Sequence, residues 1–156
     1  MSIATTLQDC LERAGARYDI IHHPRTHTSM ETAQAAHIPG NCLAKTVILE
    51  DEQGYLAAVL PSTHHILLSE LCEHTGRRLR LANEYELAHL FQDCELGAIP
   101  PIAMAYGMTT VVDDSLTKQP DVYFEAGDHE ELIHLRRNQF LDLMAEADRS
   151  TFSHSL

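Results

Sequence analysis

"LAKTVILEDEQGYLAAVLP", residues 43–61, decides how this chain folds. Apolar and β-branched residues fill 43–49, and "GYLAAVLP" at 54–61 makes a matching arm. "EDEQG" between them is turn-forming, so the stretch predicts a β-hairpin. One charged residue interrupts the first arm. By the alternation of a strand, Lys45 shares its face with Leu43 and Val47. An ammonium on such a face must reach an edge or meet a partner, because burying it unpaired is costly.

The segments around the hairpin alternate in type. Ile3, Leu7, Leu11 and Ala14 recur at helical spacing and stop at Gly15, which predicts a helix over 3–14. "RYDIIHH" (17–23) reads as a strand halted by Pro24. "SMETAQAAH" (29–37) reads as a helix with Ser29 as its cap. Beyond the hairpin, "SELCEHTG" (69–76) is a short helix closed by glycine, and "RRLRLA" (77–82) is a strand. "NEYELAHLF" (83–91) is a helix capped by Asn83. "TTVVD" (109–113), "DVYFEAG" (121–127) and "LIHLRR" (132–137) are strands, and a last helix covers about 138–146. Helices interleave with hairpin-like strand pairs, so the fold class is α+β with a mixed, mostly antiparallel sheet flanked by helices. The 156 residues suit one domain over 1–147, and 148–156 lacks periodicity and is expected to be a flexible tail.

Composition narrows the function. Eleven Lys and Arg stand against 23 Asp and Glu, a formal net charge of −12. Duplex-binding surfaces carry the opposite sign, so DNA is not an expected partner, although a small site gripping one nucleic-acid end fits. "GRRLR" (76–80) is the densest basic run. No apolar run reaches the ~18 residues of a membrane helix. The N-terminus lacks a signal-peptide pattern, and the four cysteines form no C-x-x-C pair, which points to free thiols and a cytoplasmic location. Phosphate-loop, dinucleotide-binding, nucleophile-elbow and zincin motifs are absent. Of eleven histidines, His22 and His23 would point to opposite faces of one strand, so neither metal nor cofactor is expected.

"LGAIPPIA" (96–103) is the second informative stretch. Gly97 permits backbone shapes closed to other residues and lets a ligand approach closely. Pro100 and Pro101 lack N–H groups and restrict their own and the preceding torsions. Such a loop can hold carbonyl and N–H groups in one geometry without a side-chain nucleophile.

An apolar strand carrying a lysine, followed some fifty residues later by G-x-x-x-P, resembles the YbaK/prolyl-tRNA-synthetase-associated editing domain. The motifs stand here as Lys45 in "LAKTVIL" and Gly97–Pro101 in "GAIPP". "VYFEAGDHEELIHLRRNQFLDLM" (122–144) is similar to that family's closing strands and helix. The resemblance covers roughly 3–145 and implies a curved sheet and a stand-alone deacylase acting in trans on misacylated tRNA. It implies that the acceptor end of a tRNA carrying an amino acid is the substrate, that a tRNA synthetase is a further partner, and that no cofactor is used. Lys45 would engage the 3′-terminal adenosine, and Gly97, Ala98, Ile99, Pro100 and Pro101 would present backbone groups to the ester across a shared cleft. Ser29, Met30, Thr32, Thr46 and His129 would contact the substrate. Thr46 stands where alanine-specific relatives carry asparagine, and "GAIPP" is poorer in glycine than the loop of cysteine-specific ones, so the amino acid stays open. Two rivals remain: a non-catalytic binder of nucleotide, aminoacyl-tRNA or a synthetase on the same fold, and a histidine-dependent metallohydrolase.

Overall fold

The computed structural model describes residues 3–155. Its strands are β1 (Asp19–His22), β2 (Leu43–Asp51), β3 (Gly54–Pro61), β4 (His64–Ile66), β5 (Arg80–Leu81), β6 (Thr109–Asp113), β7 (Asp121–Glu125), β8 (Glu131–Arg136), β9 (Asp148–Ser150) and β10 (Ser153–Ser155). Its helices are α1 (Thr5–Arg13), α2 (Ser29–Ala35), α3 (Leu68–Thr75), α4 (Glu84–Leu90), α5 (Asp114–Thr117) and α6 (Arg137–Leu143). The architecture is the expected α+β, with a mixed, mostly antiparallel sheet and helices on it.

The hairpin is the spine. β2 and β3 pair antiparallel from Ala44–Pro61 to Asp51–Gly54. The large sheet runs β1-β8-β7-β2-β3-β6-β9, with β5 on β2. β2 meets β7, β3 meets β6, and β6 meets β9 in parallel; the other pairs are antiparallel. On its outer edge β2 pairs with β7 only at Leu43 and Ala44, and with β5 only at Leu49 and Glu50. The edge between those two pairings has no strand partner.

Each face of the sheet has its own core. The face of Ala44 and Ile48 carries α1, through Leu7 and Leu11, and the segment 98–108, through Ile99, Ile102, Ala103 and Met108. The opposite face carries Leu49, Leu60 and Leu71 with Phe152, and nearer α2 it carries Leu43, Ala33 and Leu132. Local signals fix the helix ends. Asn83 and Glu86 form a reciprocal capping box on α4, and Gly76, at φ 68°, closes α3.

Two expectations change. The cap of α2 is Thr28, whose side chain accepts from the Glu31 N–H; Ser29 is the first helical residue. The chain end expected to be flexible lies in β9 and β10, and Phe152 is fully buried between them. Asp113 Oδ1 accepts from the Phe152 N–H at 2.9 Å, and the Leu67 N–H donates to the Phe152 carbonyl at 2.7 Å. One aromatic ring and two tethers hold what periodicity could not reveal. Phe152→Ala should lower unfolding free energy by about 3–5 kcal/mol, read as a drop in the denaturant midpoint; an unchanged midpoint would show that the chain end adds nothing to the core.

Candidate active site

Lys45 and Thr46 leave β2 on opposite faces. Lys45 lies on the side of Leu43 and Val47, half-buried, and its Nζ donates to the backbone carbonyl of His64. Among the described residues no carboxylate lies within ion-pair distance of that ammonium. Burial holds its pKa below the ordinary lysine value. Thr46 faces the side covered by the 97–103 segment, and its buried hydroxyl has no partner among the described residues.

The split between β2 and β7 sets the place of the site. The parallel ladder pairs Ala44 with Phe124 and then ends. One step further along each strand stand Lys45 and Glu125. Beyond Glu125 the chain turns through Gly127, Asp128 and His129, and the Glu95 N–H donates to the Gly127 carbonyl at 2.7 Å. That bond brings the start of the glycine–proline loop onto the β7–β8 turn.

Gly97 sits there at φ 83°, exposed, and a methyl group on it would lie 3.0 Å from His129 Cε1. His129 itself takes the left-handed conformation, φ 63°, rare for a residue with a side chain. Its Nε2 donates to the Leu96 carbonyl. Ala98, Ile99, Pro100 and Pro101 are buried, so this part of the loop is fixed by packing. Arg25 straps the loop from outside: its guanidinium pairs with Glu95 at 2.5 and 3.1 Å and also donates to the Asp128 carbonyl at 3.3 Å.

α2 touches both halves of this region. Thr32 Oγ1 donates to Glu125 Oε1 at 3.0 Å and lies 2.5 Å from Thr26 Oγ1. Met30, largely exposed, approaches Gly40 beside Ser62 and Thr63, and Ser62 Oγ donates to the Gly40 carbonyl at 2.5 Å. Ser29 is half-exposed at the start of the helix. The structure thus sets Gly97 against His129 and ties Thr32 to Glu125, but the expected shared cleft changes: Lys45 leaves β2 on the face opposite the one that the 97–103 segment covers, and is held there by His64.

Glu125 was not singled out in the sequence, yet it breaks an apolar strand just as Lys45 does. Its carboxyl is buried, and Oε2 has no partner among the described residues. His23 Nε2, equally buried, stands 3.6 Å from Oε1, while His23 Nδ1 donates to the Pro24 carbonyl. Burial pushes Glu125 up to about 7, against the opposing effects of the Thr32 hydroxyl and His129, with Asp128 adding to the rise. Among the described residues, no group of three or more His, Cys, Asp or Glu is placed to hold a metal ion. Among the described residues, no helix is long and apolar enough to cross a membrane.

Residues 23–143 match the aminoacyl-tRNA editing domain family, and the chain belongs to it. No curated protein matches it in sequence. Among solved structures it is similar to a candidate trans-editing enzyme for prolyl tRNA synthetase, with a TM-score of 0.85, 22% identity and 97% of each chain covered. It is also similar to a scaffold protein used in computational epitope grafting (TM-score 0.84, 20% identity, 98% of this chain and 97% of that one). A third neighbour is a candidate signal transduction protein from Marinobacter aquaeolei VT8 (TM-score 0.79, 24% identity, 97% of this chain and 31% of that one). At these identities the structural likeness establishes the shared fold.

The raised Glu125 carboxyl has a consequence for stability. Its folded pKa lies above its unfolded value, so its contribution is full at acid pH and is lost as pH rises through 7. Between pH 5 and pH 8 this group should cost the fold about 2 kcal/mol. Glu125→Gln should therefore flatten the decline in melting temperature over that range, and a parallel decline in both proteins would contradict the assignment.

Proposed function

We propose that this chain removes a wrongly attached amino acid from the 3′ end of a tRNA by ester hydrolysis. The observation that carries the reading is Lys45: in a chain of 23 acidic residues, an ammonium half-buried with no carboxylate partner among the described residues, where two parallel strands part. An uncompensated cation in such a place asks for an anionic ligand. In this reading it holds the phosphate preceding the terminal adenosine as a point charge. The acidic remainder of the surface is compatible with a substrate of which only the end enters.

The loop from Gly97 to Pro101 then supports the aminoacyl ester through backbone groups, with His129 fixing the position of Gly97. Water, oriented by the loop or by a ribose hydroxyl, attacks the ester carbon, the bond to the ribose oxygen breaks, and that oxygen takes the proton the water gives up, so that the free amino acid leaves. Orientation in a fixed site supplies roughly 7–11 kcal/mol in well-aligned systems, and oriented dipoles stabilise the charge that develops on the carbonyl oxygen. Ser29, Met30, Thr32 and Thr46 are assigned to the walls around the amino acid. A cytoplasmic location and contact with a tRNA synthetase belong to the same proposal.

The test is a panel of aminoacylated tRNAs incubated with the pure protein. One or more should release free amino acid. Lys45→Ala should slow that release by about a hundredfold or more with an unchanged melting temperature. Gly97→Ala should also slow it, because the new methyl forces Gly97 and His129 apart at a backbone angle that alanine avoids. Binding of charged tRNA without release would overturn the deacylase reading in favour of a non-catalytic binder.

A further inference from the structure

His64 stands next to Lys45 and is braced from the far end of the chain. β4 pairs with β10 so that Ser155 faces His64, His154 faces His65 and Ser153 faces Ile66. Ser153 Oγ lies 2.9 Å from His64 Nδ1. Phe152, just before β10, is pinned by Asp113 and buried against Leu49, Leu60 and Leu71. The carbonyl of the same His64 accepts from Lys45 Nζ. The C-terminal strand thus fixes both the imidazole and the carbonyl that holds the ammonium.

The charged and titratable groups facing His64 are Asp113 from β6, His154 from β10, Lys45 from β2 and His65 from its own strand. Burial holds its pKa below the ordinary histidine value, against the opposing effect of Asp113 and with His154, Lys45 and His65 adding smaller contributions to the drop. The neutral ring is thus favoured in the free protein. When the Ser153 hydroxyl donates to Nδ1, the ring proton sits on Nε2. No described residue bonds Nε2. A second N–H donor thus belongs to the residue whose carbonyl holds an ammonium that has no carboxylate partner among the described residues.

We propose that His64, oriented by Ser153, is a second ligand for the terminal phosphodiester of the tRNA, acting beside Lys45. The inference rests on the reading of Lys45 as a phosphate ligand. An arriving phosphate offsets the repulsion between the two cations and favours the imidazolium, so binding takes up a proton. His64 is a binding residue in this account, and Ser153 is a positioning residue that acts through it.

The test follows the His64 ring by NMR through a pH titration, with cytidylyl-(3′→5′)-adenosine as probe. That phosphodiester keeps one charge from pH 5 to 8. The dinucleotide should raise the pKa of His64, and its affinity should be about tenfold tighter at pH 5.5 than at pH 8. His64→Gln should bind with a flat pH profile. Ser153→Ala should reduce the shift while keeping the wild-type melting temperature. In deacylation, His64→Gln should raise KM about tenfold with kcat little changed.

An unshifted His64 with the dinucleotide, or a wild-type KM in His64→Gln, overturns the proposal. So does an equal shift with adenosine, which lacks the phosphate, or with inorganic phosphate, which would make the site a general anion trap. Loss of the deacylase reading shows differently: no charged tRNA is hydrolysed, whatever the dinucleotide does to His64.

Discussion

The antiparallel ladder between β2 and β3 is the constraint from which the rest follows. It runs unbroken from Ala44 to Asp51 and so fixes which face each residue of β2 occupies. Ala44 and Ile48 are committed to one core, Leu43 and Leu49 to the other. Lys45 and Thr46 fall between these apolar anchors and cannot exchange faces without moving all of them. The other edge of β2 is occupied only at its two ends. A polar gap is therefore built into the middle of a strand whose position is otherwise fixed.

Two packed systems border that gap. On one side, the segment after Gly97 is immobilised by Ile99, Ile102 and Ala103, and its exposed start is held by His129, by Glu95 on Gly127 and by Arg25. On the other, Lys45 is held by the carbonyl of His64, which the C-terminal strand keeps in place. Both supports come from parts of the chain distant in sequence. α2 joins them, through Thr32 to Glu125 and through Met30 beside Gly40. A second polar region, a cavity of about 500 Å³ lined by Asp51, Glu52, Arg77, Arg78 and Arg80, lies at the far end of β2. Arg77 and Arg80 are matched by Asp51 and Glu50 and Arg78 is exposed, so the cavity does not show the half-buried, unmatched charge that distinguishes Lys45.

Much of this was legible in the sequence, for identifiable reasons. The hairpin boundaries at 43–51 and 54–61 came directly from β-branched content and a turn. Lys45 stood out because a charge in an apolar strand has few physical accounts. The same argument applies to Glu125 in "VYFEA", and it was missed because a glutamate near a strand end passes for a solvated residue. β4, β9 and β10 were hidden because strands of three residues show no period and gain their stability from partners far along the chain. The sides taken by Lys45 and by the glycine–proline loop could be settled only by register. Alternation placed Lys45 with Leu43 and Val47, but nothing in the sequence showed that Ile99 would pack with Ile48 on the other face. His64 and Ser153, 89 residues apart, could not have been paired by any local pattern.

The most direct test of the account is a crystal structure of the protein with a non-hydrolysable 3′-aminoacylamino analogue of the dinucleotide end of tRNA. The account predicts the phosphate within hydrogen-bonding distance of Lys45 Nζ and the acyl carbonyl beside the backbone of Gly97. An analogue seated elsewhere, for instance among Arg77, Arg78 and Arg80 with Lys45 still bonded only to His64, would contradict it.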